Sequence, residues 1–365
     1  MSMPAPPANL DTPCLVVDLD AVDRNLRRMA VAASERGVAL RPHVKTHKSL
    51  ALARMQLEAG AAGVTVGTIG EAEVMADGGI DDIFIAYPVW VDGPKSRRLR
   101  DVHERSSLAV GVDSPEAAEL LAAAVEGSER RLRVLVELDS GTRRSGVASP
   151  DAALRVARKA REVGLQVIGV FTHGGHGYQA PWAGAAAAAD EVAVMGAAAA
   201  AFSADGFPME RISAGSTPTA VLAATGAVNE IRPGTYIFGD RTQLALGSIP
   251  ANGIGLIVAA TVVSTAVPGQ VVLDAGAKTL TKDRADYLEG FGLLADYPRA
   301  ILERLYDYHA AVIIPPGSPS PRLGEVVTIV PNHVCPVVEQ FDEFVVTRNG
   351  RVAGRWPVDA RGRSR

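Results

Sequence analysis

Leu40-Arg41-Pro42-His43-Val44-Lys45-Thr46-His47-Lys48 places four basic groups, counting both histidines, in the six residues from His43 to Lys48. Upstream, residues 38–40 predict a short buried strand; downstream, residues 49–57 predict a helix. Lys45 therefore falls where a strand has ended and a helix has not begun. α/β proteins place chemistry there, because the strand fixes the backbone and the loop leaves the side chain free. Neighbouring cations disfavour an ammonium and lower its pKa, and the free amine is the nucleophile of a Schiff base. A solvated basic loop is the alternative reading of the run taken alone.

Outward from this run, short apolar segments alternate with helical patterns. Strands are expected at 38–40, 63–69, 82–87, 108–112, 133–138, 166–171, 211–214 and 230–238, and helices between them at 70–76, 115–124, 150–163 and 181–203. Pro115 and Pro150 sit just inside helix starts, behind Ser114 and Ser149 as caps. The alanine-rich stretch 183–201 is helix propensity rather than disorder, and Val192, Val194 and Met195 give it an apolar side. Eight strands alternating with helices over about 200 residues is the count of a closed parallel (β/α)8 barrel. A doubly wound open sheet is the rival, but it more often carries a glycine-rich phosphate turn after its first strand. Here that strand runs into Lys45 with no glycine at the turn.

After Leu246 the rhythm changes. Strand-like segments at 255–265, 270–273, 310–314, 325–330, 343–347 and 351–356, separated by Gly- and Pro-rich turns and a long loop at 315–321, predict a mostly β domain. The expected organisation is an α/β chain with a TIM barrel over 14–245 and a C-terminal β domain over 246–365. Residues 1–13 are expected to pack on the β domain, residues 12–18 to form a strand, and 359–365 to form a frayed polar tail.

The chain has 365 residues, 47% hydrophobic and 5% aromatic, with 37 basic and 41 acidic residues and net charge −4. That balance gives no electrostatic case for nucleic acid or an anionic membrane. No segment is expected to supply the ~20 apolar residues that span a bilayer. Residues 1–9 lack the charged and apolar regions of a signal peptide, and two cysteines, Cys14 and Cys335, make no disulfide framework. The expectation is a cytoplasmic protein with a small-molecule substrate.

In a barrel, side chains that do chemistry lie at the C-terminal strand ends. Lys45 ends the first strand. DSGTRRSG (139–146) follows the fifth, THGGHGY (172–178) the sixth and SAGSTPT (213–219) the seventh; RPGTY (232–236) lies in the eighth. All should open on one rim. The last two carry hydroxyls, glycines and a helix start behind Pro218, the pieces of a phosphate cup. A lysine, a phosphate cup and an arginine at one rim suggest a cofactor with an aldehyde, a phosphate and an acidic phenol, namely pyridoxal phosphate. Arg144 is the candidate for the phenolic oxygen, His173 for the ring face and Tyr178 for the ring nitrogen. PNHVCP (331–336) sets His333 and Cys335 two apart, on one face if the segment is a strand. Imidazole and thiolate suit Zn²⁺, and two ligands leave room for substrate or water. A buried histidine beside an inert cysteine is the alternative.

PHVKTHK (42–48), DSGTRRSGV (139–147), THGGHGY, SAGSTPT, RPGTYIFGD (232–240), DAGAKTL (274–280) and PNHVCP together resemble the D-threonine aldolase/D-serine dehydratase family over nearly the whole chain. The resemblance implies the alanine racemase-like fold, a pyridoxal phosphate barrel with a β domain. It implies that Lys45 carries the cofactor and Arg144 bonds its phenol. His173 and Tyr178 would flank the ring, and Gly215, Ser216, Thr217, Gly234, Thr235 and Tyr236 would supply or border the phosphate contacts. His333 and Cys335 would bind a divalent metal, zinc or manganese, and the protein would be a homodimer. Cys335 resembles the zinc-dependent dehydratases, whereas His176 resembles the aldolase histidine near the substrate hydroxyl. The expectation is retro-aldol cleavage of D-β-hydroxy amino acids. Elimination of the D-serine or D-3-hydroxyaspartate dehydratase type is the alternative, followed by a racemase or a non-catalytic cofactor carrier.

Overall fold

A computed structural model describes residues 3–365 and divides them into two units. The chain opens on β1 (Cys14–Asp18) and α1 (Leu19–Glu35). It then lays down β2 (Ala39–Leu40), α2 (Leu50–Glu58), β3 (Val64–Val66), α3 (Ile69–Asp77), β4 (Asp82–Pro88), α4 (Gly93–Arg105), β5 (Ser107–Val112) and α5 (Pro115–Ala124). β6 (Arg133–Glu137), α6 (Pro150–Glu162), β7 (Gln166–Phe171), α7 (Ala183–Ala204), β8 (Arg211–Ala214), α8 (Ala220–Ala223) and β9 (Glu230–Ile231) complete the series. Strands β2 to β9 form one parallel sheet in the order β2-β9-β8-β7-β6-β5-β4-β3. A parallel bridge between His43 and Thr65 joins its two ends, with Thr65 N–H donating to Pro42 O at 2.8 Å. This is the expected eight-stranded barrel.

The barrel strands are buried on both faces, which is why they read as unbroken apolar runs rather than alternating ones. Inside, Phe84 and Phe171 meet edge to face at 5.2 Å among Ala86, Ala109, Leu135 and Ile168. Gly111 makes the room: a Cβ there would lie 2.6 Å from the Phe171 ring. The N-terminal strand ends are tied by charge. Arg41 donates to Glu230 at 2.7 Å and to Asp82 at 3.0 Å, and Asp82 also takes Arg133 and Arg211. Ser114 and Ser149 cap α5 and α6 as expected, each accepting the N–H three residues on.

α9 (Arg241–Ala245), β10 (Leu256–Ser264), β11 (Gln270–Leu273), α10 (Ala277–Leu280), β12 (Gly292–Leu294), β13 (Ile301–Leu305), β14 (Ala310–Ile313), β15 (Val326–Pro331), α11 (Val334–Val338), β16 (Glu343–Arg348) and β17 (Arg351–Pro357) follow. With β1 they build the other unit, a nine-stranded sheet in which β1 pairs antiparallel with β10 and parallel with β16. Its core gathers Val16, Ile254, Ile257, Ala259, Val330 and Val345, and Met3 and Leu10 pack on it.

Several expectations are corrected. Residues 14–28, expected in the barrel unit, belong with the β unit, because both edges of β1 pair there; residues 46–49 and 235–245 group with it too. The strand expected at 230–238 stops at Ile231, and residues 235–237 form a 3-10 turn. The tail is not frayed. Ala360 is buried, Gly70 N–H donates to Arg365 O at 3.0 Å, and Thr68 Oγ1 donates to Arg363 O at 2.6 Å. Finally, α7 is 22 residues long and contains an 18-residue window of mean hydropathy 1.4, so by length and apolarity it could cross a bilayer. Its apolarity is mostly alanine, and Ala187, Glu191, Met195, Ala198 and Phe202 are buried where it packs on β7, β8, α6 and α8.

Candidate active site

Lys45 lies in a 3-10 turn after β2, and its Nζ donates to the Tyr87 hydroxyl at 2.8 Å. Tyr87 ends β4, and its ring carries two cations, with Lys45 Nζ 5.4 Å and the Arg144 guanidinium 4.8 Å from the centroid. Burial pushes the Tyr87 phenol up, but Lys45 and Arg144 together outweigh it and the net shift is downward. His43 meets the same ring edge-on at 5.9 Å. Burial, then Lys45 and Arg232, holds His43 well below the usual histidine range; burial, Lys45 and Arg144 do the same to His173. Burial and the three cations thus favour the neutral form of both imidazoles. His43 Nε2 is buried with no partner. The other basic groups of the opening run serve elsewhere. His47 accepts Ser49 N–H at 3.1 Å, and Lys48 pairs with Glu339 at 2.5 Å.

Two rim loops are stitched together. Asp139 Oδ1 accepts the N–H groups of Gly141 and Arg143, at 3.0 and 2.9 Å. Thr142 Oγ1 donates to His173 O at 2.7 Å and accepts Gly175 N–H at 2.8 Å. His176 and Tyr178 follow in the 3-10 turn Gly175–Tyr178. His176 Nε2 lies 3.1 Å from Asp190 Oδ2 on α7, while its Nδ1 is buried without a partner. Beneath the loops, Glu137 is driven up to about 7 by burial, against the Ser145 hydroxyl and Arg144. Arg232 is buried, donating to Ser213 Oγ at 2.5 Å and Thr172 O at 2.6 Å.

The expected phosphate cup has a specific construction. Glu191, fully buried on α7, accepts N–H from Gly174 and Gly215 at 2.9 Å each through Oε1. Thr219 Oγ1 accepts Ser216 N–H at 2.9 Å. The backbone donors of Gly215 and Ser216 are thus engaged within the protein, and α8 behind them is a single turn. Gly215 has φ +82°, and a Cβ would meet Ala220 Cα at 2.8 Å. Gly234 ends the barrel unit's share of the eighth loop; Thr235 and Tyr236 group with the β unit.

In the β unit, His333 and Cys335 are not on a strand. His333 is the N-cap of α11 and Cys335 lies in its first turn. Pro336 would break a ladder, but it fits a first helical turn, where an N–H has no helical partner. Asp240 fixes this turn, accepting Val334 N–H at 3.1 Å through Oδ2 and Gln243 N–H at 2.8 Å through Oδ1; burial raises its carboxyl to about 6. His333 Nδ1 is held by Asp283 Oδ2 at 2.5 Å, and a hydrogen bond links the ring with Cys335. Cys335 Sγ is 3.3 Å from Thr46 Oγ1 and 4.0 Å from Thr235 Oγ1. Among the described residues no group of three or more His, Cys, Asp or Glu donors is placed to hold a metal. His333 and Cys335 are thus a two-donor pair, an imidazole and a thiol.

The barrel residues fit pyridoxal phosphate. A primary amine stands among fixed cations suited to a dianion, beside an orphaned imidazole nitrogen. Tyr87, Glu191, Asp190, Asp283 and Asp240 were not singled out from sequence. Only Tyr87 carried a signal, its place at a strand's C-terminal end.

Residues 17–242 match the alanine racemase N-terminal domain family, and residues 255–347 match a serine dehydratase domain family. D-threo-3-hydroxyaspartate dehydratase of Delftia sp. (strain HT23) is 35% identical over 92% of this chain and 93% of its own. D-threonine aldolase of Arthrobacter sp. is 33% identical over 99% and 95%. Among solved structures, D-threonine aldolase from Filomicrobium marinum superposes with TM-score 0.91 at 35% identity, covering 99% of this chain and 98% of that one. A cysteine-to-alanine variant of the Delftia dehydratase, solved in the metal-free form, superposes with TM-score 0.86 at 33% identity, over 96% and 97%.

Proposed function

The chain belongs to the alanine racemase-like family of D-threonine aldolases and D-3-hydroxyaspartate dehydratases, pyridoxal phosphate-dependent lyases, and we propose that within it the chain is an aldolase of the D-threonine type. One observation carries the choice. Asp190 holds His176 through Nε2, so the proton sits there and Nδ1, which has no protein partner, is a lone pair ready to accept one. Lys45 carries the cofactor, Arg144 faces its phenol, and His173 and Tyr178 flank its ring. Gly215, Ser216, Thr217 and Gly234 shape the phosphate cup. His333 and Cys335 hold a divalent cation, and the thiolate favours zinc over manganese.

Bound pyridoxal phosphate stabilises negative charge on Cα of an amino acid, so a bond to that carbon breaks heterolytically. His176 Nδ1 takes the β-hydroxyl proton. The O–H electrons form the aldehyde C=O, the Cα–Cβ pair moves to Cα, and a proton replaces Cβ there. Lys45 Nζ, oriented by Tyr87, is the proton donor. D-Threonine gives glycine and acetaldehyde.

Cys335 favours a second reading, β-elimination, because the Delftia dehydratase whose cysteine variant is metal-free catalyses that class of reaction. Incubation with D-threonine separates them: the expected products are equimolar glycine and acetaldehyde, and 2-oxobutanoate as sole product would overturn the aldolase reading. His176→Asn should cut glycine formation ~10²–10⁴-fold, the loss of a positioned base. EDTA should abolish turnover, and Zn²⁺ should restore it.

A further inference from the structure

The loop that carries Arg144 returns to its own start. Val147 N–H donates to Glu137 O and Asp139 N–H donates to Val147 O, each at 3.0 Å, so the excursion opens and closes at the last residue of β6. Its backbone is strained: Gly141 has φ +131°, Arg143 +55° and Gly146 +91°. A non-glycine residue in the left-handed region persists only where its surroundings over-determine it. Side chains on both sides of Arg144 do so. Asp139 Oδ1 accepts the N–H groups of Gly141 and Arg143. Asp113 Oδ2, just after β5, accepts Gly146 N–H at 3.1 Å, and the Ser145 hydroxyl is hydrogen-bonded to the Glu137 carboxyl. Arg144 itself is exposed and pairs with no carboxylate among the described residues. Its guanidinium lies over the Tyr87 ring.

Asp113 and Asp139 are partly exposed, whereas Glu137 is buried beneath the loop. Gly146 lies directly on it: a Cβ there would stand 3.1 Å from Glu137 Cγ. The Ser145 hydroxyl engages the carboxyl, yet Oε2 is buried with no partner. The charged groups that act on it are Arg144 from its own loop, Asp113 from the end of β5 and Arg232 from the segment after β9. Arg232 is already committed to Ser213 Oγ and Thr172 O. A bare, buried oxygen is tolerated by an uncharged acid far better than by a carboxylate, in line with burial raising this carboxyl to about 7. An uncharged carboxyl can anchor Ser145 without capturing the guanidinium beside it.

We propose that Glu137 is a positioning residue for Arg144: through Ser145 its carboxyl fixes the loop from beneath and leaves the guanidinium free to turn to the cofactor's phenol. This rests on the reading in which Arg144 faces that phenol, and not on which lyase reaction follows. The test is absorbance titration of the full-length apoenzyme with pyridoxal phosphate. Glu137→Gln, Glu137→Leu and Ser145→Ala are each compared alone and combined with Arg144→Met. Glu137→Gln has the same shape and an oxygen that still accepts from Ser145, so its dissociation constant should stay within about twofold of wild type. Ser145→Ala should raise the constant about fivefold and Glu137→Leu about tenfold, the scale of one lost hydrogen bond. With Arg144→Met, both increments should shrink to within about twofold, because the group they act through is gone. General damage to the fold would weaken binding equally in both backgrounds. Additive effects would therefore overturn the proposal, as would Glu137→Gln as weak as Glu137→Leu, or Glu137→Leu and Ser145→Ala both binding as wild type. Arg144→Met binding as wild type would instead overturn the reading of Arg144, and the proposal with it.

Discussion

Glu191 is the side chain on which two rim loops converge. Its Oε1 takes the N–H of Gly174 and of Gly215, and burial pushes its carboxyl above the ordinary range, against the Thr219 hydroxyl and those two N–H groups. Its carboxyl carbon would lie 2.5 Å from a Cβ at residue 174, so only glycine fits there. If its work is to accept hydrogen bonds, charge is dispensable and the sp² oxygen is not. Glu191→Gln should keep the cofactor dissociation constant within about twofold. Glu191→Ala should weaken it at least tenfold, because an orphaned buried N–H costs ~1–3 kcal/mol and two are orphaned. Absorbance titration of apoenzyme with pyridoxal phosphate measures both, and a Gln variant as weak as Ala would show that the charge is needed. Lys45, His176 and the His333–Cys335 pair were legible as candidates because their residue types are rare and their motifs local. Glu191 was not. Asp190-Glu191 inside an alanine run reads as a solvated face, and nothing local says that residue 190 stays half in solvent while residue 191 is buried against two loops 17 and 24 residues away.

At the level of elements, the barrel strands were legible because burial on both faces leaves a continuous apolar signature, whereas the turns that hold the chemistry leave almost none. The short strands Gly292–Leu294 and Ile301–Leu305 were missed, since three residues, or a pair of charges inside five, carry no period. The segment after Pro331 was misassigned because His-x-Cys was read for alternation while Pro336 and the distant Asp240 decide for a helical turn. The link between the Asp139–Val147 loop and the Gly175–Tyr178 turn tests whether such contacts matter. Gly141 has φ +131°, and a Cβ there would stand 3.1 Å from His176 Cε1 and Nε2. Gly141→Ala adds ~1–3 kcal/mol of backbone strain and presses on the imidazole just where it meets Asp190. Turnover of D-threonine should fall about tenfold or more while cofactor binding stays within twofold. Unchanged kcat would mean that the His176 ring is not held for the reaction.

Across the whole molecule, the two units alternate along the chain rather than meeting at one boundary. Residues 3–28, 46–49 and 235–361 belong to the β unit; the remaining described stretches, including the last four residues, belong to the barrel unit. Composition pointed to a change near residue 246 because the helical rhythm stops there, but strand pairing over more than 200 residues is invisible to any local window. β1 pairs with β10 and β16, Thr12 Oγ1 donates to Asp274 at 2.6 Å, and Thr242 Oγ1 donates to Asn332 O at 2.7 Å. A fragment ending at residue 245 would keep β1 and α9 and lose every one of these partners. It would present an apolar strand, Leu15-Val16-Val17, with both edges unpaired, which is a template for aggregation. Residues 1–245 expressed alone should therefore elute as aggregate and show no cooperative thermal transition. Removing 1–28 and 235–245 as well takes away the unpaired strand, so residues 29–234 should be the less aggregated of the two, with more far-UV helix signal. A monomeric, cooperatively melting 1–245 fragment would mean that β1 can be satisfied within the barrel unit, and that the pairing with β10 and β16 is not what assigns the N-terminus to the β unit.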